Sequence, residues 1–178
     1  MSIIEGKVWK YGDNINTDII APAAYMELSV AEAAKYTMSP IDETFGSEYR
    51  PGEIFVAERN LGSGSSRETA PMVLKELGVR VIVAKSYARI FYRNCINVGI
   101  LTIECVQTDK IHKDDVIAID YEKGIIINKT IGEQYAAQPI PSHIARLVSQ
   151  GGLIPYLENW QKEHKGQSWY GRREWQND

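Results

Sequence analysis

Cysteine is scarce in this chain: Cys95 and Cys105 are the only two among 178 residues. They cannot build a disulfide framework, and so low a count fits a reducing cytoplasm. Nor can they hold an iron–sulfur cluster, which takes three or four thiolates. His112, His143 and His164 are the only histidines and form no ligand pattern, so no metal site is expected within the chain. An excess of basic charge is also missing. The net charge is −3, which leaves no electrostatic footprint for nucleic acid. No apolar run approaches membrane-spanning length. The opening Met1-Ser2-Ile3-Ile4-Glu5 lacks the basic-then-apolar layout of a signal peptide. The expectation is a cytoplasmic protein with neither a membrane nor a nucleic acid as partner.

What remains is ordinary globular composition, 44% hydrophobic and 24% charged, in a length that suits one domain with its own core. Apolar runs at Ile3–Trp9, Ile54–Ala57, Val79–Ala84 and Ile100–Val106 read as strands. Segments at Leu28–Tyr36, Pro71–Leu77 and Tyr87–Ile96 read as helices between them. Val116–Tyr121 and Ile125–Asn128 flank Glu122-Lys123-Gly124 as a hairpin. Ser142 is placed to cap a short helix that Gly151-Gly152 ends, and Pro155–His164 reads as the last helix. Asp13–Asp18 and Phe45–Gly52 read as loops. Strands alternating with helices, then a hairpin, predict an α/β fold with a partly parallel mixed sheet and flanking helices. Residues 1–164 form that domain. Residues 165–178 are a polar tail carrying Trp169, Tyr170 and Trp175, read either as a frayed end or as aromatics that dock on a partner or a second copy.

Chemistry concentrates in Asn60-Leu61-Gly62-Ser63-Gly64-Ser65-Ser66-Arg67-Glu68, set between a strand and a helix. Gly62 and Gly64 permit positive φ and close approach of a ligand to the backbone. Arg67 can grip a carboxylate through two parallel hydrogen bonds. Loop amides at a helix N-terminus favour a small anion. A second reading competes: Ser65-Ser66-Arg67-Glu68 matches the S-x-x-E capping box, in which Ser65 only caps the helix. The loop is neither a Walker A sequence nor G-x-G-x-x-G, so phosphate and dinucleotide ligands are disfavoured.

Four stretches together resemble the swivelling small subunit of the isopropylmalate dehydratase family, related to the C-terminal domain of aconitase. They are Tyr11–Ile20 with Pro22 and Tyr25, Gly62–Glu68 with Ala70-Pro71, Ala84–Asn94, and Asn97-Val98-Gly99-Ile100. The likeness covers roughly the first 160 residues. It implies a layered β/β/α swivelling domain. It also implies Ser65 as catalytic base, Arg67 as clamp on a substrate carboxylate, and Ser66 and Gly64 as shapers of the anion pocket. The family divides its labour, so a separate large subunit bearing a [4Fe–4S] cluster is the implied partner, with a small hydroxy-dicarboxylate as substrate. Thr69 and Ser63 depart from the family, which usually has His and often Cys there.

Two readings are open for Asp18: its stretch can bond its own backbone in turns, or face the active site as a carboxylate. Tyr25, Met26, Glu27 and Leu28 occupy the loop that selects substrate in this family. From Asn14 through Glu32 there is no Lys or Arg to hold an extra carboxylate, and Glu27 would repel one. Met26 or Leu28 could pack an alkyl group. Isopropylmalate is the favoured substrate, and a 2,3-dimethylmalate or citramalate-type dehydratase is the alternative. A stand-alone small-anion binding module using the same loop is the reading from another class.

Overall fold

The computed structural model describes residues 2–165, so all of the tail but Lys165 lies outside the described residues. β1 (Ile3–Lys10) is the middle strand of a seven-stranded sheet. A long connection follows, holding three one-turn helices: α1 (Thr17–Ile20), α2 (Val30–Ala33) and α3 (Phe45–Glu48). The chain then runs β2 (Ile54–Val56), α4 (Thr69–Glu76), β3 (Val81–Ala84), α5 (Arg89–Asn97) and β4 (Leu101–Glu104). β5 (Val116–Asp120), β6 (Ile125–Asn128) and β7 (Glu133–Ala136) precede α6 (Ser142–Ser149) and α7 (Leu153–Glu163). The spatial order is β4-β3-β2-β1-β5-β6-β7. β1 to β4 pair in parallel, and β5 to β7 add on antiparallel.

The mixed sheet with flanking helices is therefore as expected, and it curls into a half-barrel. Residues from its parallel half (Val81, Val83, Ile103) and its antiparallel half (Ile117, Ile119, Ile126) share one core, against which Ile144 and Val148 of α6 pack. The opposite face packs against α4 and α5 through Phe55, Ile82, Leu74, Phe91 and Cys95. Alternation along β2 shows why that strand has no polar face: Ile54 and Val56 join the first core and Phe55 the second.

Differences from the sequence reading are local. Leu28–Tyr36 is not one helix, because α2 gives way to a 3-10 turn over Ala34–Tyr36. The Phe45–Gly52 loop contains α3, pinned by the fully buried Phe45 among Trp9, Tyr11, Tyr49 and Phe55. Ser142 is the first residue of α6 rather than its cap, since Pro141 takes the cap position without a side-chain bond. β7 was not anticipated. Only Tyr135 of its four residues is buried, so this edge strand carries no readable alternation.

At the carboxyl ends of the parallel strands sits a half-buried ion cluster. Glu58 accepts from Lys10 at 2.7 Å, from Lys85 at 3.1 Å and from Thr108 at 2.9 Å. Burial pushes the Glu58 carboxyl up, but the bonds from Lys10, Thr108 and Lys85 outweigh it and hold the pKa below the usual glutamate range. A depressed folded pKa means that the stabilisation is complete above the unfolded value of about 4.3 and is lost as pH falls through the folded value. Glu58→Gln should thus lower stability by ~1–3 kcal/mol at pH 7, and the gap from wild type should narrow below about pH 4. Urea unfolding of both proteins at several pH values checks this. An unchanged midpoint at pH 7 would remove the cluster from the stability of the fold.

Candidate active site

β2 delivers the chain to the carboxyl edge of the parallel strands, where open α/β sheets bind their ligands. Residues 59–63 then run as a braced strip between two neighbouring loops. On one side Asn14 N–H donates to the Arg59 carbonyl (2.8 Å), Gly62 N–H to Ile15 (2.7 Å) and Thr17 N–H to Ser63 (2.9 Å). On the other, Leu61 N–H donates to Ser86 and Ala88 N–H to Leu61. Gly62 has φ +82, and a Cβ there would fall 2.0 Å from Phe91 Cγ, so only glycine fits.

Beyond Ser63 the bracing stops. Among the described residues, the amides of Gly64, Ser65, Ser66 and Arg67 and the hydroxyls of Ser65 and Ser66 have no hydrogen-bond partner. Gly64, Ser65 and Ser66 are exposed. The capping-box reading of Ser65 fails here. α4 begins at Thr69, its N-cap residue is Glu68, and no side chain caps it. Pro71 is the physical reason. A helix capped by Ser65 would place Pro71 deep in its second turn, where a missing N–H and a ring clash break it. Starting at Thr69, the helix holds Pro71 in its first turn, where no N–H is needed. The capping box in this region belongs to Ser29 and Glu32 at the start of α2.

Arg67 turns back toward the 18–26 segment. Its guanidinium lies 3.4 Å from Asp18 Oδ1 and 2.8 Å from Met26 Sδ. Asn16 takes the turn-forming role, its Oδ1 accepting from Ile19 N–H at 2.8 Å to cap α1. Asp18, one residue into that helix, is left to meet Arg67. Met26 follows a 3-10 turn over Ala23–Tyr25 that is held by Tyr25, whose ring stacks on Tyr36 at 3.8 Å. Glu27 and Leu28 are exposed beside it, and neither hydrogen-bonds or pairs with Arg67. Asp18, Met26 and Arg67 thus converge at the edge of the Ser65-Ser66 loop. The sequence reading missed Thr17, whose buried hydroxyl lies against Gly64. A threonine in a polar stretch gives no signal of burial.

No group of three or more His, Cys, Asp or Glu gathers as a metal site among the described residues. Cys95 and Cys105 are free and buried, and burial raises the pKa of both thiols. Two hollows of about 540 and 520 Å³ lie elsewhere, one beside Arg80 and Leu101, the other beside Tyr92 and Leu147. Ser65 and Arg67 line neither of them.

This loop and its neighbours fall within residues 14–108, which match the model of the aconitase C-terminal domain. The 3-isopropylmalate dehydratase small subunit of Nautilia profundicola is 48% identical over 166 residues, spanning 93% of this chain and 100% of its own. The chain belongs to the family of 3-isopropylmalate dehydratase small subunits. Small subunit 1 of the Archaeoglobus fulgidus enzyme is 43% identical over 155 residues, 86% of this chain and 96% of its own. A crystal structure of 3-isopropylmalate dehydratase from Methanocaldococcus jannaschii superposes with a TM-score of 0.85 at 36% identity, covering 90% of this chain and 96% of that one. Membership makes this small subunit a component of a hydro-lyase complex, and it implies a large catalytic subunit as partner.

Proposed function

We propose that this small subunit, with its large partner, interconverts 2-isopropylmalate and 3-isopropylmalate in leucine biosynthesis by dehydration and rehydration. Ser65 is the base and Arg67 the carboxylate clamp. The observation that carries this reading is the release of the loop from structural duty. Ser65 caps nothing, and the amides around it are unspent beside a guanidinium at the loop's edge.

Arg67 and the amides of Ser65 and Ser66 hold one substrate carboxylate. Asp18 keeps Arg67 turned toward the site until substrate arrives. Ser65, as alkoxide stabilised by Arg67 and the loop amides, takes the proton from the carbon next to the one bearing the hydroxyl. Water leaves, and the alkene is rehydrated with the opposite regiochemistry. Ser65 returns its proton to the carbon that had carried the hydroxyl. The departing hydroxyl needs a Lewis acid. The donors of this chain do not fit an iron–sulfur cluster, because both thiols are buried and stand alone. We assign the [4Fe–4S] cluster to the large subunit.

Substrate choice follows from charge. Arg67 is the only cation that hydrogen-bonds or pairs with the 18–28 segment among the described residues, and it already faces Asp18. A third carboxylate on the substrate would meet exposed Glu27 with no counter-charge. Met26 and Leu28, 45% and 42% exposed, offer apolar surface for an alkyl group. The test is to reconstitute the complex with a cluster-bearing large subunit and follow alkene absorbance. The panel is 3-isopropylmalate, 2,3-dimethylmalate, citramalate and homocitrate. Preference for 3-isopropylmalate is expected. Preference for another alkylmalate would move the substrate within the class. No turnover at all, with a large subunit active beside another small subunit, would leave a small-anion binding module.

A further inference from the structure

Three buried threonine hydroxyls have no hydrogen-bond partner among the described residues: those of Thr17, Thr37 and Thr102. A hydroxyl that has lost its water and gained no bond destabilises the fold, so a valine of the same shape would serve better. Thr102 lies inside β4, and Thr37 follows the 34–36 turn. Thr17 differs in its neighbour. Its amide donates to the Ser63 carbonyl at 2.9 Å, and its Oγ1 faces Gly64, where an added Cβ would come within 3.1 Å of it. The oxygen therefore lies against the residue where bracing of the loop ends, one position before Ser65. The amides of Gly64 and Ser65 are also without partners. An unused acceptor thus lies against Gly64, whose own amide is an unused donor. Gly64, at φ +108, can rotate without a side chain striking Thr17.

We propose that Thr17 is a positioning residue: with substrate bound, its Oγ1 accepts a loop amide and fixes the Ser65 hydroxyl at the carbon it serves. This rests on the reading of Ser65 as base. It explains why a hydroxyl that costs stability in the free chain stands at this position.

The experiment compares Thr17→Val, Thr17→Ser and the control Thr102→Val in the reconstituted two-subunit complex. It reads kcat and KM for 3-isopropylmalate together with the thermal midpoint of each small subunit. Thr17→Val should melt at or above the wild-type midpoint, yet lose about tenfold or more in kcat with KM little changed, because the bond forms around the reacting geometry. Thr17→Ser should restore kcat to within about threefold, since the hydroxyl is kept. Thr102→Val should gain the same stability with full activity. A fully active Thr17→Val, a lowered midpoint in that variant, or no rescue by serine would each overturn the inference. Ser65→Ala separates the two layers. If that variant is inactive while Thr17→Val is normal, only the role of Thr17 fails. If it is active, the base assignment fails, and the role of Thr17 with it.

Discussion

Ser65→Ala should cut kcat by ~10²–10⁴-fold, the usual contribution of a positioned acid–base group, and leave fold and assembly intact. The fold does not depend on this serine. The residue is exposed, its hydroxyl bonds to no described residue, and the helix after it begins without its help. A capping serine would cost ~0.5–2 kcal/mol of stability on replacement by alanine. Here the thermal midpoint should not move. The kinetic half depends on where the serine acts. Loss of the base removes an interaction made in the transition state, so kcat and kcat/KM should fall together while KM stays near wild type. Steady-state kinetics and melting of the same preparation decide the matter. A lowered midpoint with kcat retained would restore the capping role and sink the base.

That contrast shows what the sequence could and could not reveal. The loop was legible because its ingredients are rare in combination: two glycines, consecutive serines and an arginine between a buried strand and a helix. Gly62 and Gly64 both take the positive φ that their presence suggested. The choice between cap and free serine was also written in the sequence, at Pro71, but only for a reader who counted helix positions from each candidate start. The parallel strands were readable because β2 and β3 are buried throughout, which leaves uninterrupted apolar runs. β7 was not, since one buried tyrosine in four residues makes no period.

Partnerships across long sequence gaps were beyond reach. Nothing local says that Asp18 meets Arg67 rather than its own backbone, or that Asn16 caps the turn instead. Those choices are made when residues 13–17 dock along residues 59–63, and the bonds that fix the register come from both loops. The buried hydroxyl of Thr17 is a product of the same docking. Glu58 is likewise unremarkable in sequence, yet it ties the ends of β1 and β3 through Lys10 and Lys85 beneath the loop.

The docking of the two loops is also what makes Arg67→Lys a sharp test. Lysine keeps the charge and can still approach Asp18, so the fold should be indifferent. An exposed pair of this kind is worth only ~0–1 kcal/mol, and Asp18 is itself largely exposed. What lysine cannot do is present two parallel donors in one plane to a carboxylate. Losing one charge-assisted bond to the substrate costs ~1.5–3 kcal/mol, or about 10- to 150-fold in kcat/KM. The form of the loss is informative. If the clamp only anchors substrate, KM rises and kcat holds. If it also aligns the carbon–hydrogen bond with Ser65, kcat falls as well, and more than the lost bond alone would explain. Placement of Arg67 within two residues of Ser65, on a stretch of backbone with no bonds of its own, favours the second outcome, because substrate held by Arg67 also sets where the loop rests. Turnover near wild type with unchanged KM in Arg67→Lys would show that the guanidinium serves Asp18 alone, and the carboxylate would then have to be held by the loop amides and the large subunit.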